Sequence, residues 1–543
     1  MTVKPIFMRR SMHALFLTAG AALAGCGGGG GGGGGGVFLP PASSSTPAPF
    51  NTTPVASAQI NAAVAKLDGV AEEVLRRTKV PGMAVAVVKD GQVVYAKGFG
   101  VRRLGSPERI DADTVFQLAS MSKPIAATVV AGLIGTQGLS WDTPAVSRLP
   151  GFNLSDPAVT YQVTIGDLFA HRSGLPGAAG DKLEDLGYDR QQILQRMRYV
   201  PLRPFRTSYA YANFGLTAGA EAAATVSGTE WAELSRRVLY APLGMNATSS
   251  RFVDFIQRTN RATPHAMQDG SYQALYQRQP DEQSPAGGVS SSVNDVARWM
   301  TLLLQNGSYK GQTIYTPEAL RPAISEQIAN GGTSGPPPGR ANHYGYGFNV
   351  GTSTAGRLKL SHSGAFMLGA GTAFTAIPAA GVAIVTLTNA APMGAAEAVN
   401  LTFEELVESG KTSTDWVGIL AKAFEPFYTP EGSLAGQQPP SQPVAPLGSN
   451  AYTGTYANSY YGNAVVEASG SGLVLKMGPT GARAFTLRHW SGNTYVYDLS
   501  GENAPQGSIA RIDFTPDASG VSASLTMDYY AEDITHGTFT RAR

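Results

Sequence analysis

Hydrophobic positions along the 543 residues follow three kinds of pattern. Met83 to Val88 is continuously apolar, Lys89-Asp90-Gly91 follows as a strong turn signal, and Val93-Val94-Tyr95 resumes the run, which predicts a β-hairpin. Leu358-Lys359-Leu360 alternates into His362-Ser363-Gly364, then Ala365, Phe366 and a glycine-rich stretch to Gly371, which reads as an edge strand leading to a hairpin. Ala395 to Glu408 reads as a helix that closes a first domain, and Thr414 to Tyr428 as a further helix. Gln437 to Pro443 has the composition of a linker. From Asn450 to Arg543 the pattern changes to short alternating runs split by turns: Tyr452–Tyr456, Ala464–Glu467, Leu473–Met477, Thr494–Tyr497, Ile509–Phe514, Ser522–Met527 and Gly537–Phe539. These predict a small antiparallel β-barrel, and a chain of this length sets two domains as the prior.

Candidate chemistry begins at Ser120-Met121-Ser122-Lys123. On a helix, residues three apart share a face, so the Lys123 amine can reach the Ser120 hydroxyl and take its proton. Roughly one S-x-x-K arises by chance in a chain of this size, so partners decide the matter. Tyr211-Ala212-Asn213 supplies a phenol and a carboxamide about ninety residues downstream, and a neighbouring cation would favour the phenolate, making Tyr211 a second candidate base. His362-Ser363-Gly364 is the third element, its glycine allowing close approach of a substrate backbone. His171, in the turn at Ser173-Gly174, reads as a structural hydrogen-bonding residue, with a cleft-lining role as the alternative. His265, His343, His489 and His536 lack metal-ligand spacing. Neither Gly-x-Ser-x-Gly nor His-Glu-x-x-His occurs, and no cofactor or metal is implied.

These motifs, in this order, resemble the penicillin-recognising serine hydrolases of the class C β-lactamase, D-aminopeptidase and esterase group. Thr164-Ile165-Gly166-Asp167-Leu168 with His171-Arg172-Ser173-Gly174-Leu175-Pro176, Pro242-Leu243-Gly244-Met245 and Pro285 to Ser292 extend the likeness from about Ala56 to Asn389. The resemblance implies an α/β (α+β) β-lactamase/transpeptidase-like fold, with a central antiparallel sheet flanked by helices. It implies Ser120 as nucleophile, Lys123 and Tyr211 as the acid/base pair, and Asn213 as a contact to the substrate amide or to Lys123. His362, Ser363, Gly364 and Ala365 would hold the substrate, and the N–H groups of Ser120 and Ala365 would form the oxyanion hole. His362 stands where β-lactamases usually carry lysine; a histidine titrates near pH ~6.5 and is no fixed cation for a β-lactam carboxylate, which argues against efficient β-lactam hydrolysis. Small amides, short peptides including those with D-residues, and esters are the implied substrates. Size and layout are also similar to the linear-microcystin peptidases, and the Tyr452 to Tyr456 opening resembles a lipocalin-like domain found behind such hydrolases, read as shaping the active-site rim or supporting dimerisation. Two alternatives stand beside this reading: a penicillin-binding or peptidoglycan-recognising lipoprotein with little turnover, and a class C-like β-lactamase.

Lys4, Arg9 and Arg10 precede the apolar run Ala14 to Leu23, which has the length of a signal-peptide core and falls short of the ~20 residues that span a bilayer. Leu23-Ala24-Gly25-Cys26 resembles a lipobox, implying lipidation of Cys26, the only cysteine. The family's sorting rule, with Gly27 in place of aspartate, points to the periplasmic side of an outer membrane. Gly27 to Gly36 and Pro40 to Pro54 form a flexible tether with a span of about 30 Å. The expected division is a signal over 1–25, anchor and tether over 26–54, the hydrolase domain over 55–410, a linker over 411–449 and the β domain over 450–543. A net charge of +2 with 15% charged residues gives nucleic-acid binding no electrostatic footing; the partner the resemblance implies is a small-molecule or short-peptide substrate, with the Cys26 lipid in the membrane.

Overall fold

The computed structural model describes residues 49–334, 339–531 and 537–542. The signal, Cys26 and the glycine tract lie outside the described residues. The first domain is built on eight strands: β1 (Gly82–Lys89), β2 (Gln92–Gly100), β3 (Ile328–Ser334), β4 (Arg340–Tyr344), β5 (Asn349–Thr352), β6 (Leu358–Phe366), β7 (Ala370–Ile377) and β8 (Val382–Thr388). They form one antiparallel sheet in the order β2-β1-β8-β7-β6-β5-β4-β3.

The unbroken apolar run of β1 follows from this arrangement. Ala84, Ala86 and Val88 enter the core on one face and Met83, Val85 and Val87 the core on the other, so no position of that stretch meets water and the period-two alternation disappears. Helices α1 (Ser57–Ala65) and α2 (Leu67–Thr78) cover one face together with α7 (Ala395–Ser409) and α8 (Trp416–Phe424). The other face carries α3 (Ser122–Ala131), α4 (Asp181–Asp185), α5 (Asn213–Ala224) and α6 (Val293–Leu304). Leu420, Phe424 and Phe427 pack with Leu67, Val74 and Leu406, so α8 and the 3-10 turn Glu425–Tyr428 that follows it dock on the first domain.

Strand β6 differs from the edge strand expected for it. Three further strands lie beyond it. Ile328–Ser334, with two glycines, and Arg340–Tyr344 are largely polar and exposed or half-buried, and Asn349–Thr352 is buried but only four residues long, so none carries a clear apolar signal. The edge nevertheless exists locally, because β5 pairs only from Leu358 to Ser361; from His362 onward β6 pairs with β7 alone.

The second domain is a closed barrel of eight strands in chain order: β9 (Gly454–Asn458), β10 (Gly462–Ser469), β11 (Gly472–Met477), β12 (Arg483–Ser491), β13 (Thr494–Asp498), β14 (Ile509–Pro516), β15 (Ser522–Met527) and β16 (Thr538–Arg541). Seven coincide with the predicted runs. The eighth, β12, has a short alternation, Phe485 and Leu487 against exposed Ala484, Thr486 and Arg488, and only Leu487 is fully buried, too brief a signal to mark a strand by itself. The interior is filled by side chains such as Tyr456, Leu475, Tyr497, Leu525 and Phe539, all fully buried. The barrel docks on the stretch around α4. Tyr460 Oη accepts the Gly180 N–H at 2.8 Å, Tyr188 Oη donates to the Tyr461 carbonyl at 2.9 Å, and Lys182 Nζ donates to the Tyr529 carbonyl at 2.5 Å.

Candidate active site

The chain reaches Ser120 through a strained residue. Ala119 has φ +48°, a left-handed conformation disfavoured for a side chain bearing Cβ, and such strain persists only where surrounding structure holds it. A short 3-10 turn, Ala119–Met121, then leads into α3. β6 packs directly on this turn, and Gly364 is what permits it. A Cβ at that position would overlap the Leu118 carbonyl oxygen and the Thr372 hydroxyl, while Thr372 Oγ1 donates to the same carbonyl at 2.8 Å. Ser122, fully buried, accepts the Val289 N–H at 2.9 Å and so ties the start of α3 to the Pro285–Ser292 segment.

Lys123 is fully buried, and its Nζ lies 3.1 Å from Ser120 Oγ, 2.7 Å from Asn213 Oδ1 and 2.9 Å from the Ala286 carbonyl. The last two oxygens can only accept. A neutral amine, with two N–H bonds, satisfies both and presents its lone pair to the Ser120 hydroxyl. Burial favours that form, lowering the Lys123 pKa to about 7, while attraction to Asp181 works against the shift.

Tyr211 hydrogen-bonds Ser120, and its ring lies 4.5 Å from Lys123 Nζ. Here the structure departs from the expectation of an easily formed phenolate. Desolvation raises the Tyr211 pKa far above its ordinary value and outweighs the Ser120 hydrogen bond, so the phenol keeps its proton at neutral pH. The Tyr211-Ala212-Asn213 stretch is held in part by His171, whose Nδ1 accepts the Ala212 N–H at 3.2 Å and whose ring sits 4.4 Å from that of Tyr211. The structural role for His171 is thus the one observed.

Asn213 bridges two buried ionisable groups. Its Oδ1 accepts from Lys123, and its Nδ2 lies 3.3 and 3.2 Å from the two Asp181 oxygens. Burial first, and then the neighbouring Glu184, push the Asp181 carboxyl up to about 8, against the Asn213 hydrogen bond and the Lys123 charge. His362 is buried as well. Its Nδ1 is 2.6 Å from the Ser363 carbonyl, so that nitrogen carries the proton, and Nε2 accepts from Tyr344 Oη at 2.8 Å. Desolvation, together with the Lys123 charge, lowers its pKa to about 3. The position taken by lysine in β-lactamases is therefore electrically neutral here.

Ser120, Tyr211, Asn213, His362, Ser363 and Ala365 line one cleft, and Gly364 sits between Ser363 and Ala365 beneath it. The same cleft contains Asp181, Arg278, Tyr344, Glu502 and Asn503, none of which sequence reasoning singled out. Asp181, Glu184 and Asp185 form a dense acidic group in a chain with 15% charged residues, and that was the one available signal. Arg278 and Glu502 are brought in by the tertiary fold. Among the described residues no group of three His, Cys, Asp or Glu side chains could hold a metal ion.

Comparison with known proteins agrees with this architecture. Residues 67–408 match the family profile described as Beta-lactamase, and residues 437–539 match one described as a domain of unknown function, DUF3471. Relatives include the unguisins hydrolase ungD of Aspergillus violaceofuscus, 26% identical over 84% of this chain and 86% of its own length. Esterase EstB of Burkholderia gladioli is 27% identical over 63% of this chain and 94% of its own length. The octameric penicillin-binding protein homologue from Pyrococcus abyssi shares the fold at a TM-score of 0.56 and 19% identity, covering 88% of this chain and all of that one. With its profile match spanning more than half its length, the chain belongs to the Beta-lactamase family of serine hydrolases.

Proposed function

We propose that the protein hydrolyses small amides, short peptides or esters through an acyl-Ser120 intermediate. The observation that carries this reading is the surroundings of Lys123, whose two obligate acceptors, Asn213 Oδ1 and the Ala286 carbonyl, leave its lone pair to Ser120. Neutral Lys123 takes the Ser120 proton as Oγ attacks the carbonyl carbon. The negative charge that develops on the carbonyl oxygen is met by the N–H groups of Ser120 and Ala365. Tyr211, still protonated, hands its proton to the leaving nitrogen or oxygen, and the Lys123 ammonium restores the balance. Water then attacks the acyl carbon with the same groups acting in reverse, regenerating Ser120. A neutral His362 supports amide and ester substrates over penicillins and cephalosporins, because it offers no fixed charge to their carboxylate. The names of the relatives, an unguisins hydrolase and an esterase, support the same substrate range.

Initial rates of the full-length protein and its Ser120→Ala variant test this on one panel: p-nitrophenyl butyrate, D- and L-alanyl anilides, a linear D-residue peptide and a chromogenic cephalosporin. Multiple turnover that Ser120→Ala abolishes is the expected result. A single acylation without turnover would point instead to a penicillin-binding protein, and equal rates in the variant would sink the mechanism. We also propose that Cys26 is acylated and tethers the domain to the periplasmic face of the outer membrane; labelling with a radioactive fatty acid that disappears in Cys26→Ala is the expected outcome.

A further inference from the structure

One wall of the cleft comes from the other domain. On the connection between β13 and β14, Gly501 pairs with Ala504 across a two-residue turn whose corners are Glu502 and Asn503. Both corners line the cleft with Ser120 and Ala365. Gly501 has φ +135°, a backbone conformation that residues with Cβ rarely adopt, so the turn depends on glycine there.

Glu502 is 8% exposed, and its bonds run to the hydrolase domain. Oε1 accepts the Met367 N–H at 2.7 Å and Oε2 the Leu368 N–H at 3.3 Å. Those amides belong to the turn between β6 and β7, two and three residues past Ala365. Asn503 Nδ2 donates to Asp185 Oδ2 at 2.8 Å and holds the neighbouring corner. Burial pushes the Glu502 carboxyl up to about 8, opposed by Arg278 and the two amides. Withdrawing a carboxyl from water is costly unless such bonds offset it. Nothing in the barrel interior requires an acid at this loop tip; its partners are the β6–β7 turn.

We propose that Glu502 is a positioning residue of the hydrolytic site, clamping the β6–β7 turn so that the Ala365 edge of β6 keeps its distance from Ser120, which makes the barrel part of the active centre. This rests on the acyl-Ser120 reading. Gln506 lies on the same connection and makes interdomain bonds of its own, 3.0 Å to the Asp269 N–H and 2.7 Å to the Asp269 carboxylate, but is not among the cleft-lining residues, so it controls for mere loosening of the interface.

The test is steady-state kinetics on p-nitrophenyl butyrate for full-length wild type, Glu502→Ala, Glu502→Gln and Gln506→Ala, combined with amide hydrogen exchange over the peptide holding Met367 and Leu368. Glu502→Ala is expected to lower kcat about 10- to 100-fold with KM changed by less than about threefold, as for a small misplacement of reacting groups, and to accelerate exchange at the turn. Glu502→Gln keeps an acceptor oxygen and is expected to recover part of both losses; Gln506→Ala should match wild type. A Glu502→Ala kcat within about twofold of wild type, or an equal fall in Gln506→Ala, overturns the proposal. If Glu502→Ala does not fold, Glu502→Gln decides, since parity with wild type in kcat and exchange is fatal and a selective fall in kcat supportive. Absence of turnover in wild type defeats the acyl-Ser120 reading on its own; exchange then still decides the clamp, which fails if turn protection is unchanged in the Glu502 variants and stands if it is lost.

Discussion

Lys123 Nζ stands 3.1 Å from Ser120 Oγ while Asn213 Oδ1 and the Ala286 carbonyl occupy its other hydrogen-bonding directions. The amine thus meets the hydroxyl with the one valence a base needs, and burial has already removed much of its preference for the proton.

A pH dependence follows. Lys123 acts only when neutral and its pKa is lowered to about 7, so kcat/KM should fall about tenfold per pH unit below that value and level off above it. A pH–rate profile between pH 5 and 9 on a non-ionising ester checks this. Activity undiminished at pH 5 would remove Lys123 from the role of base.

Asp181 tests that assignment through Asn213. Burial pushes its carboxyl up to about 8, so it is protonated over the acid limb and Asp181→Asn should leave the limb in place. The new amide oxygen still accepts from Asn213 Nδ2, and kcat is expected to fall no more than about tenfold. A limb moved to lower pH in the variant would show that a charged carboxylate acts on Lys123.

His362 should leave no mark on the profile. Its pKa is lowered to about 3 by burial and by Lys123, so it is neutral throughout the working range. His362→Gln loses the geometry that joins the Tyr344 hydroxyl to the Ser363 carbonyl and should lower kcat/KM several-fold, on the scale of about 1 kcal/mol for a hydrogen bond. The acid limb stays in place, and a limb that disappears with the imidazole would contradict the assignment.

Asp167 carries a stability prediction. Fully buried, it caps 165–169 with Thr164 and pairs with Arg172 at 2.7 Å and Arg206 at 2.8 Å. Burial raises its pKa, but the hydrogen bonds from Arg206 and Arg172 outweigh that and the net shift is downward. A carboxyl depressed on folding contributes stability above its unfolded pKa of about 3.9, lost as pH falls through the folded value. Asp167→Ala, which takes the carboxylate from Arg172 and Arg206, should cost about 3 kcal/mol at pH 7, and the deficit should shrink as pH falls through the lowered folded value. Urea denaturation at pH 7 and pH 3 measures both.

Much of the fold and site is legible in the sequence. Ser120-Met121-Ser122-Lys123, Tyr211-Ala212-Asn213 and His362-Ser363-Gly364 are local patterns whose spacing is set by helix and strand periodicity, and they do line one cleft. The β1–β2 hairpin, α7 and seven barrel strands were equally readable, because burial on a regular element repeats along the chain. Strands β3 and β4 were not, since mostly polar or exposed strands carry no such repeat, and in β12 the alternation is too short to stand out.

What the chain by itself determined, then, is which chemical groups are present and the order of the elements that bear them. The tertiary structure decided their protonation and their company. Tyr211 beside a lysine reads as an acidified phenol, yet packing among His171, Tyr344 and Lys123 withdraws it from water and reverses the shift. Glu502, 382 positions from Ser120 in the chain, enters the cleft only because the barrel docks beside α4. Desolvation and long-range contact depend on what the whole fold places around a group, and neither is written in the residues next to it.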